Sequence, residues 1–386
     1  MRPLPCFNPE PQEDIRELSD RLRTHDTVAI TPTGEYVVLG HAEVVAAACD
    51  DHRFSSQVSR FLQLPNGLDG SEHDQFRALI EHYLTPEAIQ PFVPAFTHIA
   101  DELVQSLIVQ EEVDAVSQLG AVFAVRAQCA WLGWPIELES TLLNWVRANN
   151  RAAQSDNVQQ KVKVAEEFDA MIQAIVRPRR QEFEQDPTHQ PADVTDQLCA
   201  DTQIGRLLTE AELTSILRNW TGGDLSSMAL CIGVVIAYLL QHPRSFTLWQ
   251  QLSDEELEAH INEVLRLDNP FVWNRRITRC PVQVGEHVLL AGQRVYLNWT
   301  SANRDERVFT ANQYAPQAHA NHNLVYGIGR HICPGRTLAT WQLRILIRSL
   351  LTHCKSIQAG NEPALKRAQP PLGGYNYVSV RLVGTN

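Results

Sequence analysis

The chain has 386 residues, and no Gly/Ser-rich or Pro-rich linker divides it into separately patterned halves, so composition predicts one compact unit over residues 1–386. Apolar residues at 44% and charged residues at 20% suit a globular chain with a substantial core and leave both an enzyme and a binding protein open, whereas a net charge of -12 argues against nonspecific nucleic-acid binding. Eight scattered cysteines, with no Cys-x-x-Cys pair, fit a reducing cytoplasm. Residues 1–12 are proline-rich and lack the basic and apolar regions of a signal peptide. The longest apolar run, residues 228–240, falls short of the ~20 residues that span a bilayer and reads as a buried helix. The expectation is a cytoplasmic protein bound to neither membrane nor nucleic acid.

In chain order, residues 14–23 read as a short amphipathic helix, followed by a hairpin of residues 28–30 and 36–39 around Thr33-Gly34 and a helix over 42–48. Residues 54–68 lose all period and form a loop long enough to line a pocket. Residues 69–83 read as a helix that places His73 and Arg77 on one face, either as a clamp for an anion or as a solvated pair. Helices follow over 86–109, 113–132, 138–152 and 158–183.

The longest helical pattern covers 209–241, opening on a capping-box sequence from Thr209 to Glu212 and ended by Pro243. Within it lies Thr221-Gly222-Gly223-Asp224-Leu225-Ser226-Ser227, where two glycines and a charge cost helix stability. That interruption reads equally as a site and as a kinked packing segment. A helix over 254–267 sets Glu263 and Arg266 at i,i+3, a spacing usual for a surface ion pair. After Pro270 come short extended runs over 282–284, 288–290 and 295–298, then a helix over 336–351 and a hairpin-like end over 370–382.

The stretch 323–338 reads Asn-Leu-Val-Tyr-Gly-Ile-Gly-Arg-His-Ile-Cys-Pro-Gly-Arg-Thr-Leu. Gly327 and Gly329 permit a tight loop, and Cys333 sits at its end with Gly335 opening the helix behind it. A thiolate at a helix N-terminus can ligate a metal or act as a nucleophile. A buried structural cysteine is the alternative, and the glycine spacing weighs against it.

Tyr326-Gly327-x-Gly329-x-His331-x-Cys333-x-Gly335, with Glu263-x-x-Arg266 upstream and Asn303-Arg304-Asp305-Glu306-Arg307-Val308-Phe309 between them, resembles the cytochrome P450 superfamily of heme-thiolate monooxygenases. The resemblance implies a mainly α fold with a small β region, a triangular helical prism with heme between the long central helix and the cysteine loop. It implies heme b as cofactor and O2 as co-substrate, with Cys333 as the iron ligand. His73, Arg77, Arg276 and His331 fall where the family binds the heme propionates, and Gly222, Gly223, Tyr326, Gly327, Gly329 and Gly335 where it packs against the cofactor. Asp224 and Ser227, with Ser226, would serve oxygen activation.

Three positions depart from the family pattern. Tyr326 replaces the usual phenylalanine, the serine pair replaces an acid-threonine end, and Glu263 and Arg266 lack their usual arginine partner, with Gln317 or His319 nearby. By the same resemblance, electrons come from a ferredoxin or flavodoxin and an NAD(P)H-dependent reductase, because no flavin or iron–sulfur motif is present. The substrate pocket is expected from residues 57–68, 148–156, 217–227, 272–275 and 372–375, with Phe61, Leu62, Leu64, Leu217, Trp220, Val272, Trp273 and Tyr375 as its apolar candidates. That lining favours a small or medium hydrophobic substrate, hydroxylated or O-dealkylated. A peroxide-driven peroxygenase and a heme-binding sensor or carrier without turnover are the competing readings.

Overall fold

The 32-residue helix Glu210–Gln241 is the axis of the core, and in the computed structural model it runs unbroken through Gly222 and Gly223. Its start is the expected capping box: the Glu212 N–H donates to Thr209 Oγ1 at 3.2 Å, and the Thr209 N–H donates to Glu212 Oε2 at 2.8 Å. The structure describes residues 3–10, 13–155, 157–186, 188–310, 313–361 and 364–385. By length and composition this helix could cross a membrane, beyond the shorter apolar run read from sequence, but most of that apolar window is buried against the rest of the chain. It packs on helices Val158–Gln185 and Ala121–Leu132, the π-helical turn Ala115–Gly120 and the strand Tyr375–Gly384. Close approach to the turn requires Gly120, where a Cβ would lie 2.9 Å from Ala229 Cα.

Helix-rich structure with small sheets is what the sequence pattern predicts, and the differences have local causes. Residues 86–109 break into Pro86–Ile89, a 3-10 turn Gln90–Phe92 and Val93–Ile108, because Pro91 and Pro94 lack the N–H a continuous helix needs. Residues 113–132 begin instead as the strand Val113–Asp114. Pro243 ends the long helix and also starts another, Pro243–Trp249, a position that its missing N–H suits. Val194–Ala200 is a further short helix, started by an Asp193 side chain that accepts from the Asp196 N–H.

Five strands form one sheet in the order Val28–Ile30, Tyr36–Val38, Arg294–Asn298, Trp273–Thr278 and Phe54–Ser55. Tyr36–Val38 and Arg294–Asn298 pair in parallel and the other neighbours antiparallel. Trp273–Thr278 has no apolar alternation to announce it, yet it is the strand that carries Trp273 and Arg276. Residues 370–382 do not fold back on themselves as a hairpin. Tyr375–Gly384 pairs instead with Leu365–Arg367, Val113–Asp114 and Cys354–Ala359, drawing distant segments together.

Glu263 and Arg266 are not a surface pair: they are 1% and 0% exposed. Arg266 holds Glu263 with two parallel bonds of 2.8 Å and donates to the carbonyls of Asn303 at 2.5 Å and Gln313 at 3.1 Å. His319 Nδ1 lies 2.7 Å from Glu263 Oε1 and takes the place of the absent arginine, while the Ala315 N–H donates to the same oxygen. The Phe309 ring closes the network, 4.4 Å from the guanidinium carbon. Burial alone would raise the Glu263 carboxyl, but Arg266, the Ala315 N–H and His319 outweigh it and hold it below its ordinary 4.5.

A depressed carboxyl contributes stability above its unfolded pKa, and that contribution is lost as pH falls through the folded value. Glu263→Ala should cost roughly 3–5 kcal/mol in urea unfolding at neutral pH, because it leaves a buried guanidinium unpaired. The deficit relative to the parent protein should shrink as the medium is acidified below pH ~4; a deficit independent of pH would count against this account.

Candidate functional site

Gly327 (φ 71°) and Gly329 (φ 76°) adopt the left-handed backbone that lets the loop turn back on itself. The Cys333 N–H donates to Tyr326 O at 2.8 Å, and helix Arg336–His353 starts three residues after the cysteine. Burial pushes the Cys333 thiol up to about 11, with Asp224 adding to the rise; the Gly335 N–H, Arg77 and Arg336 pull the other way. A thiolate here therefore needs a stronger cation than these side chains supply, and a metal ion is one. Among the described residues no three His, Cys, Asp or Glu side chains converge on a bare ion. A metal at Cys333 must bring its other ligands with it, as a porphyrin does.

Beside the loop lies a cluster of arginine and histidine side chains. Arg276 is buried, donates to Arg275 O at 2.8 Å and has no carboxylate at ion-pair distance among the described residues, so burial lowers its pKa. The His73 and His331 rings are 4.3 Å apart. Burial, then Arg276 and His73, take His331 down to about 4, and burial also lowers His73, whose Nε2 has no hydrogen-bond partner. Arg77 Nη1 donates to Ile332 O at 2.5 Å and its Nε to Glu81 at 2.7 Å, so much of its donor capacity is already engaged. An unpaired buried guanidinium beside imidazoles held neutral is costly unless an anion arrives. Two propionates of a heme fit that need. Arg276 and His331 line the cavity directly, while His73 and Arg77 stand behind them.

Across the cavity, Gly223, Asp224 and Ser227 face inward from the long helix. Gly223 presents open space where a Cβ would be. Gly222 and Ser226 do not line the cavity, and both are turned toward neighbouring helices instead. A Cβ on Gly222 would meet Trp145 at 3.2 Å and Phe168 at 3.4 Å, and Ser226 accepts from Asn149 Nδ2 at 3.4 Å. Burial raises the Asp224 carboxyl to about 7, and its Oδ2 has no partner; what exposure the residue has is to this cavity.

The cavity between these walls measures about 530 Å³. Leu64, Trp220, Val272 and Trp273 line it as expected, and Phe61, Leu62, Leu217 and Tyr375 do not. Leu217 is wholly inside the core, Leu62 is exposed, Phe61 lies under Arg60, and Tyr375 lies under Arg367. Of residues 148–156, Asn149 sits behind Ser226 and Asp156 falls outside the described residues. The Tyr326 ring lines the cavity while its hydroxyl accepts from Thr340 Oγ1 at 2.9 Å, which satisfies the extra polar atom.

Sequence reading missed Trp131 and Trp299; Asn219 and Asn274 fall within the expected segments 217–227 and 272–275 but were not singled out, and Trp299 Nε1 donates to Asn274 Oδ1 at 2.6 Å. Asn219 could have been named individually, since it precedes Gly223 by four residues on the same helix face. Trp131 gives no such signal from its distant helix.

Comparison with protein-family models matches residues 141–373 to Cytochrome P450. The chain is 26% identical over 376 residues to the cyclomarin C epoxidase CymV of Salinispora arenicola, covering 93% of each chain. It is 26% identical over 305 residues to the linalool 8-monooxygenase of Pseudomonas putida, covering 75% of this chain and 71% of that one. The structure of CYP109E1 from Bacillus megaterium in complex with testosterone superposes with a TM-score of 0.85 at 22% identity, over 95% of this chain and 97% of that one. With more than half of its length matched to the family model and the fold shared nearly end to end, the chain belongs to the cytochrome P450 family of heme-dependent monooxygenases, which use O2 as co-substrate.

Proposed function

We propose that this monooxygenase acts on a small or medium-sized hydrophobic molecule, by hydroxylation or O-dealkylation. Electrons come from a ferredoxin or flavodoxin served by an NAD(P)H-dependent reductase. The observation that carries the reading is one cavity with Cys333 on one wall, Asp224 and Ser227 on the other, and Trp220, Val272, Trp273 and Leu64 around the space between. The names of the relatives, a cyclomarin C epoxidase and a linalool 8-monooxygenase, agree with insertion of oxygen into an organic molecule. The reading takes residues 1–386 as one catalytic domain working in the cytoplasm.

Cys333 would hold the heme iron, and Arg276 and His331, backed by His73 and Arg77, would hold its propionates. Heme, when bound, supplies activation of O2 and transfer of one oxygen atom. The protein's part is positional and electrostatic. As a thiolate, Cys333 would supply electron density to the metal it holds. Gly223 leaves room beside the helix for a diatomic molecule. Asp224 carries a proton near neutral pH because burial disfavours its anion, and Ser227, on the same face, offers a hydroxyl to pass that proton on. A proton-bearing carboxyl at this place supports the O2 route over a peroxide-driven one, in which the oxidant brings its own protons. The apolar walls exclude water and orient the substrate by shape.

Reduced holoenzyme with carbon monoxide should give the difference band of thiolate-ligated heme, and Cys333→Ser should abolish it; a wild-type band of histidine-ligated type would sink the ligand assignment. Product formation driven by O2 should fall as pH rises through about 7, where Asp224 loses its proton. Asp224→Asn should remove that limb and slow product formation roughly 10²-fold, and an unaltered profile would take Asp224 out of proton delivery. Ser227→Ala should divert electrons to hydrogen peroxide, read as peroxide formed per NAD(P)H consumed. In a titration with small hydrophobic compounds, those that fit should shift the heme from low to high spin, and Trp220→Ala should weaken the shift; a library of polar compounds active in their place would overturn the substrate class.

A further inference from the structure

Two tryptophans from distant parts of the chain meet at the cavity wall. Trp131, on helix Ala121–Leu132, and Trp220, on the long helix, have ring centroids 5.0 Å apart, and both line the cavity. Trp220 also touches Tyr83, with centroids 5.5 Å apart. Tyr83 ends helix Gly70–His82, next to the exposed His82, and its hydroxyl donates to Asp201 Oδ2 at 2.6 Å. The three rings form a continuous aromatic path from the cavity toward the surface, and none of them is required by the oxygen chemistry above.

The hydrogen bonding along this path is asymmetric. Both indole Nε1 atoms are buried with no partner among the described residues, so an oxidised indole here has no acceptor for its proton. Tyr83 has one in Asp201, whose carboxylate is itself fixed by the Gln203 N–H at 2.7 Å. A tryptophan radical cation that cannot lose its proton is a stronger oxidant than a tyrosine that can lose proton and electron together. Any electron vacancy created at Trp220 or Trp131 therefore runs downhill to Tyr83. Burial and the Asp201 charge keep the Tyr83 phenol protonated far above its ordinary range, so its proton leaves only with the electron.

We infer that Trp131, Trp220 and Tyr83 form an electron-supply chain that discharges the oxidised cofactor when no substrate is in place, with Asp201 as the proton acceptor. The inference rests on heme being held at Cys333. In this step the oxidised site takes one electron from the tryptophan pair, Tyr83 refills the vacancy, and the phenolic proton moves to Asp201. The products are a site reduced by one electron, a neutral Tyr83 phenoxyl radical and a protonated Asp201. A one-electron reductant of the ascorbate or thiol class then returns an electron to Tyr83, and Asp201 returns the proton. The chain protects the cavity walls, because a vacancy left on an indole ends in its irreversible oxidation.

The test mixes substrate-free ferric holoenzyme with an aryl peracid, freezes it within milliseconds and records the electron paramagnetic resonance spectrum. Wild type should show a tyrosyl-type signal. Tyr83→Phe keeps the ring packing and removes only the hydroxyl; it should lose that signal, and oxidised Trp131 and Trp220 in peptide mass spectra should rise several-fold. Asp201→Asn keeps the shape and removes the proton acceptor, and it should lower the tyrosyl yield several-fold. An undiminished tyrosyl signal in Tyr83→Phe, or indole oxidation equal to that of wild type, overturns the chain. All variants are compared at equal thiolate-type carbon monoxide band, so a missing band in wild type counts against the Cys333 assignment and not against the chain.

Discussion

The buried union of Glu263, Arg266 and His319 fixes the path by which the chain reaches Cys333. Arg266 grips the Asn303 carbonyl, the Asn303 side chain accepts from the Leu324 N–H at 2.8 Å, and Asn323 Nδ2 donates to Asn262 O at 2.9 Å. One ion pair thereby ties a helix, the irregular segment after the sheet and the start of the cysteine loop into one frame. Such a pair is costly to bury and stays favourable only because nearly every donor and acceptor within it is satisfied. A histidine in place of an arginine keeps a donor toward Glu263 while adding one less permanent charge to the interior, and its ring packs edge-on against Phe309 at 5.3 Å.

The cavity follows the opposite rule. Where the frame satisfies its polar atoms, the cavity leaves them wanting: Arg276 without an anion, His73 Nε2 without a partner, Asp224 with an unbonded oxygen, and a cysteine whose anion burial disfavours. All but the Asp224 deficit are of a kind that a heme reverses, since two carboxylates answer Arg276 and the free imidazole nitrogen and a metal answers the thiol. Buried polar groups left unsatisfied in one place are the physical mark of a site shaped for something the polypeptide does not itself contain.

Much of this was legible in the sequence because the features are local. The loop around Cys333, the capping box at Thr209 and the i,i+3 spacing of Glu263 and Arg266 each depend on residues within a turn or two of one another. Burial of that pair was not legible, since the same spacing serves a solvated surface. The inward set of the long helix was half legible: Asp224 and Ser227, three residues apart, share a face, but Ser226 is itself three residues from Gly223, and only its contact with Asn149 sets it apart. The pocket was read least well. Its walls come from segments more than a hundred residues apart, so Leu217 and Tyr375 looked equivalent to Trp220 and Trp273 until tertiary packing separated them. Trp273–Thr278 escaped notice because a strand running beside a polar cofactor site has no reason to alternate.

Residues 62–64 are laced to the long helix: the Leu64 N–H donates to Ser215 Oγ at 2.9 Å, Ser215 Oγ donates to Leu62 O at 2.9 Å, and Asn219 Nδ2 donates to Leu64 O at 2.7 Å. At ~0.5–1.5 kcal/mol apiece such bonds make a latch that thermal motion opens rarely and a shallow binding gain can offset. The latch shares its backbone with Asp224, one and two turns further along. The rim of the cavity and the wall that carries Asp224 are therefore one mechanical part, so a guest that lifted the rim would also load that helix.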